Sequence, residues 1–185
     1  MNRRLFLAAT AACAILPAGS AFAQQPSQKE NAKSAVAAAC ASAKASGRPL
    51  LLVFHASWCG YCTVFDMVLA NREAGPIMEK HLMAYHLRTQ ERDDKAKALQ
   101  LPGTDDVFNT YAPPSVGLPY MVVLDGQAHK VTDSIMSNGE NFGYPVTPEE
   151  GVGFDEMMKK ASPSITEKEL KTLRRVCAAT LKRKS

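Results

Sequence analysis

Leu50-Leu51-Leu52-Val53-Phe54-His55-Ala56-Ser57-Trp58-Cys59-Gly60-Tyr61-Cys62-Thr63-Val64-Phe65-Asp66 is the stretch whose reading decides the fold. The unbroken apolar run from Leu50 to Phe54 has the length and branching of a strand buried on both faces. It runs within a few residues into two cysteines separated by Gly60 and Tyr61. With a helix starting at Cys59, the two cysteines fall three apart on one helical face, close enough to form a disulfide without straining the backbone. The same geometry makes the sulfurs unequal. Cys59 sits beside unpaired N–H groups and the positive end of the helix dipole, which favour a thiolate, whereas Cys62 lies one turn deeper. A thiolate in front with a partner thiol behind it is what thiol–disulfide exchange requires: one sulfur attacks a disulfide and the second resolves the mixed intermediate.

Trp58-Cys59-Gly60-Tyr61-Cys62 after a buried strand, with Gly117-Leu118-Pro119 opening a second apolar strand much later, resembles the thioredoxin superfamily over roughly residues 48 to 137. The resemblance implies an α/β, thioredoxin-like fold: a central mixed sheet flanked by helices, here with extra N- and C-terminal helices. It also implies a cis bond at Leu118–Pro119, and a substrate groove shaped by Trp58, Tyr61, Leu118 and Pro119. Three positions depart from the pattern. The buried carboxylate often found ahead of the first cysteine falls on Val53, a Trp falls on His55, and the Pro between the cysteines is Tyr61. Related dipeptides span about −270 to −120 mV, so the redox poise is not set by the motif.

The first 23 residues read as a cleaved export signal, with Arg3 and Arg4 before an apolar segment from Leu5 to Leu16 and a small-residue end at Ala21-Phe22-Ala23. Asn2-Arg3-Arg4-Leu5-Phe6-Leu7 also resembles a twin-arginine signal, and the general and twin-arginine routes both stay open. Residues 24–185 then form one thioredoxin-like domain, core about 48–161 and an extra helix about 164–183, periplasmic or secreted. The chain carries 22 basic and 18 acidic residues. Two of the basic ones lie in the signal, and so near a balance gives no electrostatic argument for nucleic acid. Cys40, Cys59, Cys62 and Cys177 remain after cleavage. An even count in an exported chain favours two bridges, Cys59–Cys62 and a structural Cys40–Cys177 joining the terminal helices.

Along the chain, Ala32, Val36, Ala39, Cys40 and Ala43 recur at helical spacing in a helix over 31–46 that Gly47 ends. The helix after the cysteines runs to about Asn71, and Gly75-Pro76 opens another. His81 to Arg88 reads as the next strand. Residues 91–112 read as helix broken near Pro102-Gly103, with Val107, Phe108 and Tyr111 facing inward. Tyr120–Leu124 and Lys130–Ile135 make a hairpin. Thr147, Pro148 and Glu150 fit the N-cap, first and third positions of a helix.

Metal ligation by Cys59 and Cys62 would need two further ligands, and neither a second cysteine pair nor a helical His pair is present. Haem attachment would need His where Thr63 stands. His55 either tunes Cys59 or simply packs. The reading is therefore a thiol–disulfide oxidoreductase, with no organic cofactor or metal, acting on protein thiol or disulfide substrates and served by a redox donor or acceptor. By resemblance the Trp-Cys-Gly-x-Cys form leans toward reductases fed by a membrane reductant conductor. Isomerases that share Cys-Gly-Tyr-Cys carry a separate dimerisation domain, for which the segment before the first strand has no room. The alternative is a non-catalytic thioredoxin scaffold that holds a client or a metal through its cysteines.

Overall fold

The computed structural model describes residues 30–184, so the proposed signal peptide lies outside the described residues. Helix α1 (Ala32–Ala45) starts at Asn31, whose side chain accepts from the Ser34 N–H in a reciprocal capping box. It ends at Gly47, where φ of +71° suits a residue without Cβ. Strand β1 (Leu50–His55) follows, then α2 (Gly60–Leu69), α3 (Ala74–His81) and β2 (Met83–Arg88). The charged stretch beyond forms two short helices, α4 (Asp94–Lys97) and α5 (Thr104–Tyr111). Strands β3 (Tyr120–Leu124) and β4 (Lys130–Asp133), and helices α6 (Pro148–Ala161) and α7 (Glu167–Lys184), complete the chain. Thr147 and Glu150 cap α6 reciprocally, with Pro148 in its first turn.

The sheet order is β2-β1-β3-β4, with β1 parallel to β2 and antiparallel to β3. A strand bonded on both edges and covered on both faces must be apolar throughout, and Leu50 to Phe54 are all buried. Alternation along the strands divides the interior. Leu50, Leu52, Phe54, Tyr120 and Val122 join α1 and α5 in one core. Leu51, Val53, Met121 and Val123 join α2, α3, α6 and α7 in the other.

That division corrects the expected Cys40–Cys177 bridge. Both cysteines are buried and free. Cys40 lies in the α1 core and Cys177 in the α7 core, with the sheet between them. The helical spacing correctly put each on an apolar face, but the faces look at opposite sides of one sheet. Burial holds both thiols up, that of Cys177 to about 12, so neither is a ready thiolate.

Two boundaries also differ from expectation. His81 closes α3 rather than opening a strand, because its ring packs inward against Ser162 Oγ at 2.8 Å. Strand β4 stops at Asp133, where the Ser134 carbonyl turns to accept the Phe142 N–H and Ile135 bridges to Asn141.

Two outcomes follow from the two-sided core. Peptide mapping after denaturation without reductant should find Cys40 and Cys177 alkylated, and a linked Cys40–Cys177 peptide would contradict this fold. Phe54→Ala removes a ring held against Phe108 at 5.0 Å and Tyr120 at 5.9 Å. It should cost about 3–5 kcal/mol in denaturant titration.

Candidate active site

β1 ends at His55, and the turn Ala56-Ser57-Trp58 carries the chain to Cys59, the N-cap of α2. Cys59 has an extended backbone, and its Sγ accepts from the Cys62 N–H at 3.1 Å. The two sulfurs form a disulfide across a Cα separation of 5.3 Å. In this oxidised state both are buried, Cys59 at 5% and Cys62 at 3% exposure. The expected contrast in exposure is therefore small here, and their difference lies in position: Cys59 caps the helix and Cys62 sits inside it. Trp58 and Tyr61 stand exposed on either side at 40% and 48%. Large aromatic rings left in water beside a buried disulfide form a surface suited to a partner chain.

Each ring is braced from beneath. Tyr61 stacks on Tyr144 with centroids 6.0 Å apart, and Tyr144 donates its hydroxyl to the Cys177 carbonyl of α7. Trp58 donates its indole N–H to the Gln90 carbonyl at 2.7 Å, with the Arg92 guanidinium 3.7 Å from its ring centroid. Leu118 packs against Ala56, Cys59 and Cys62. The Leu118–Pro119 bond is cis, and Pro119 is buried behind Leu118.

The loop bearing this bond is anchored by Asn141, whose amide donates to the carbonyls of Gly117 at 2.8 Å and Pro119 at 3.1 Å. The Asn141 amide oxygen accepts from Ser134 Oγ and Gly143 N. Gly143 itself passes so close that a Cβ would meet the Pro119 carbonyl at 3.2 Å, at a φ of +51°. A groove of about 720 Å³ runs from Tyr61 along Leu118 to Met136, Asn141 and Tyr144.

His55, the last residue of β1, has its ring 5.4 Å from that of His86, which approaches Asp66 of α2 at 3.4 Å. Burial, and then the neighbouring His86, hold the His55 pKa below its ordinary value. Among the described residues, no group of three or more His, Cys, Asp or Glu side chains is arranged to hold a metal ion. None of the described helices is long and apolar enough to cross a membrane.

Thus the structure brings together Trp58, Cys59, Tyr61, Cys62 and Leu118, places Pro119 after the cis bond that follows Leu118 and His55 at the end of β1, and leaves Cys40 and Cys177 outside. The sequence reading missed Ser57, Gln90, Glu91 and Arg92, which form one clasp: the Glu91 carboxylate accepts from Ser57 N at 2.8 Å, Ser57 Oγ at 2.6 Å and Arg88 Nη1 at 2.9 Å. Burial pushes the Glu91 carboxyl up, but the two Ser57 hydrogen bonds and Arg88 outweigh it and hold the group below its ordinary range. The only trace in the sequence was a run of polar residues just past a strand end. Asn141 was missed too, inside a loop rich in Gly and Asn.

A family model described as thioredoxin-like matches residues 31–126, just over half of the chain. No curated protein matches. Among solved structures, the chain is similar to a disulphide isomerase from Xylella fastidiosa Temecula1, at 18% identity over 85% of this chain and 95% of that one, with a TM-score of 0.46. A DsbH oxidoreductase shares 18% identity over 75% and 85% of the two chains, with a TM-score of 0.45. The C-terminal domain of Neisseria meningitidis DsbD in the oxidised form shares 18% over 56% and 82%, with a TM-score of 0.40.

The lowered His55 value sets a direction for stability against pH. The unfolded chain takes up a proton on this residue near the ordinary value of 6.5, before the folded chain does, so stability falls as pH drops from 7 toward 5. His55→Asn should flatten that part of a denaturation profile. An unchanged slope would mean that His55 is not the group responsible.

Proposed function

This chain belongs to the thioredoxin-like family, and from that membership and the disulfide at the start of α2 we propose that it is an exported thiol–disulfide oxidoreductase that reduces protein clients. The observation that carries the reading is the Cys59–Cys62 bond seated at a helix N-terminus between two exposed aromatic rings. A merely structural bridge would not need Trp58 and Tyr61 held out in water by dedicated partners. Export rests on the signal-like residues 1–23.

In the reduced protein, the Cys59 thiolate is stabilised at the N-cap by the α2 N–H groups. It attacks one sulfur of a client disulfide. A Cys59–client bond forms as the client bond breaks, and the departing client sulfur leaves as a thiolate and takes a proton from water. Cys62 gives up its proton and attacks the Cys59 sulfur, forming the bond seen here and releasing the second client sulfur as a thiol. Two electrons and two protons have then passed to the client. A dithiol donor must return them, by resemblance a membrane reductant conductor. Trp58 and Tyr61 flank the client chain, and Leu118 with Pro119 aligns it in the groove beside the sulfurs.

Cys62→Ser should accumulate a mixed disulfide between Cys59 and its client, since the intermediate forms and nothing resolves it, whereas Cys59→Ser should trap far less. Both variants should lose insulin-reducing turnover with a thiol donor while staying folded, since the two sulfurs pack in a small cluster apart from the two main cores. A better trap in Cys59→Ser would reverse the assigned roles. No turnover and no trap would favour a binding scaffold.

A further inference from the structure

The end of β2 is tied to the turn ahead of Cys59 by three consecutive residues. Gln90 accepts from Trp58, Glu91 accepts from both donors of Ser57, and Arg92 lies over the Trp58 ring. The clasp is itself anchored. Thr89 N donates to the His55 carbonyl at 2.8 Å, Thr89 Oγ1 reaches Asp105 at 3.2 Å, and Glu91 N donates to Gln100 Oε1 at 2.9 Å. Gln90 makes the reversal with φ of +52°, so the loop is built rather than loose.

The puzzle is the charge. The Glu91 side chain has no exposure at all, yet it is a carboxylate, paired to an Arg88 that is 30% exposed. Burying a charge is costly even when paired, and a neutral amide oxygen can also accept from the Ser57 N–H, though more weakly than a carboxylate. The fold therefore keeps a buried carboxylate hydrogen-bonded to Ser57, two positions before Cys59 in the chain.

We propose that Glu91 is a positioning residue for Cys59, holding the Ser57–Trp58 turn and setting a fixed negative charge on the turn that leads into Cys59, which keeps the cysteine pair poised to give electrons away. The inference rests on the oxidoreductase reading above and deepens it by supplying a direction of flow. A negative charge near a thiolate disfavours the thiolate. The reduced state carries the thiolate and the disulfide carries none, so the charge disfavours the reduced state. Arg88, on the same carboxylate, opposes this effect. Among the described residues, Arg92 lies over the Trp58 ring, and His55, which feels Glu91, Arg88, His86 and Asp66, adds its own titration at the end of β1.

The test is the equilibrium of the full chain with glutathione in wild type, Glu91→Gln and Arg88→Gln. Glu91→Gln keeps an acceptor for Ser57 but drops the charge. It should move the equilibrium toward the dithiol at least about threefold at neutral pH, about 14 mV at roughly 30 mV per tenfold. Arg88→Gln should move it toward the disulfide. The gap between Glu91→Gln and wild type should shrink on acidification, as the thiolate that feels the charge is protonated. A purely structural clasp would lower the melting temperature of both variants and leave both equilibria at the wild-type value, or shift both in one direction. Either result overturns the proposal. The readout requires only that Cys59 and Cys62 form and break their bond, so a protein that equilibrates with glutathione but reduces no client would count against the oxidoreductase reading and not against Glu91.

Discussion

Burial of β1 on both faces is the constraint on which the rest depends. Its edges are spent on β2 and β3, and its side chains alternate into two cores, so no residue from Leu50 to Phe54 is free to move or to become polar. A strand held so firmly delivers its C-terminal end to one place. The chain must leave the sheet there, and it does so into a helix whose N-cap is Cys59. The reactive position thus follows the end of a strand buried on both faces and paired on both edges, and the helix it caps packs on α7.

Around that fixed point the site is assembled by loops from other parts of the chain. The end of β2 holds Ser57 and Trp58 through Gln90, Glu91 and Arg92. The loop before β3 places Leu118 against the sulfurs, and Asn141 holds that loop through two carbonyls. Tyr144 joins Tyr61 to α7. Each hydrogen bond among these contributes about 0.5–1.5 kcal/mol net. Together they fix the surface around the disulfide from several parts of the chain.

How much of this was legible follows from how local each signal is. An apolar run, a cysteine pair and a capping box are written within a few residues, so β1, the start of α2, and the Thr147–Glu150 box could be read directly. Cys40 and Cys177 show the limit. Periodicity says that a residue faces inward, but two helices on opposite sides of one sheet both face inward, and only the three-dimensional order of layers separates them. His81 failed for a related reason, since the last turn of a helix and the first residues of a buried strand have the same apolar density. Glu91 left only a polar run past a strand end and Asn141 only a Gly- and Asn-rich loop, because the partner that places each in the site is more than 20 residues away.

The central claim is that Cys59 and Cys62 form a working redox pair that supplies electrons. The reduction potential of the wild-type pair tests it most directly. A value near the reducing end of the family range, about −270 mV, is what this account predicts; a value near the oxidising end, about −120 mV, would contradict it and make the protein an acceptor of electrons from its clients.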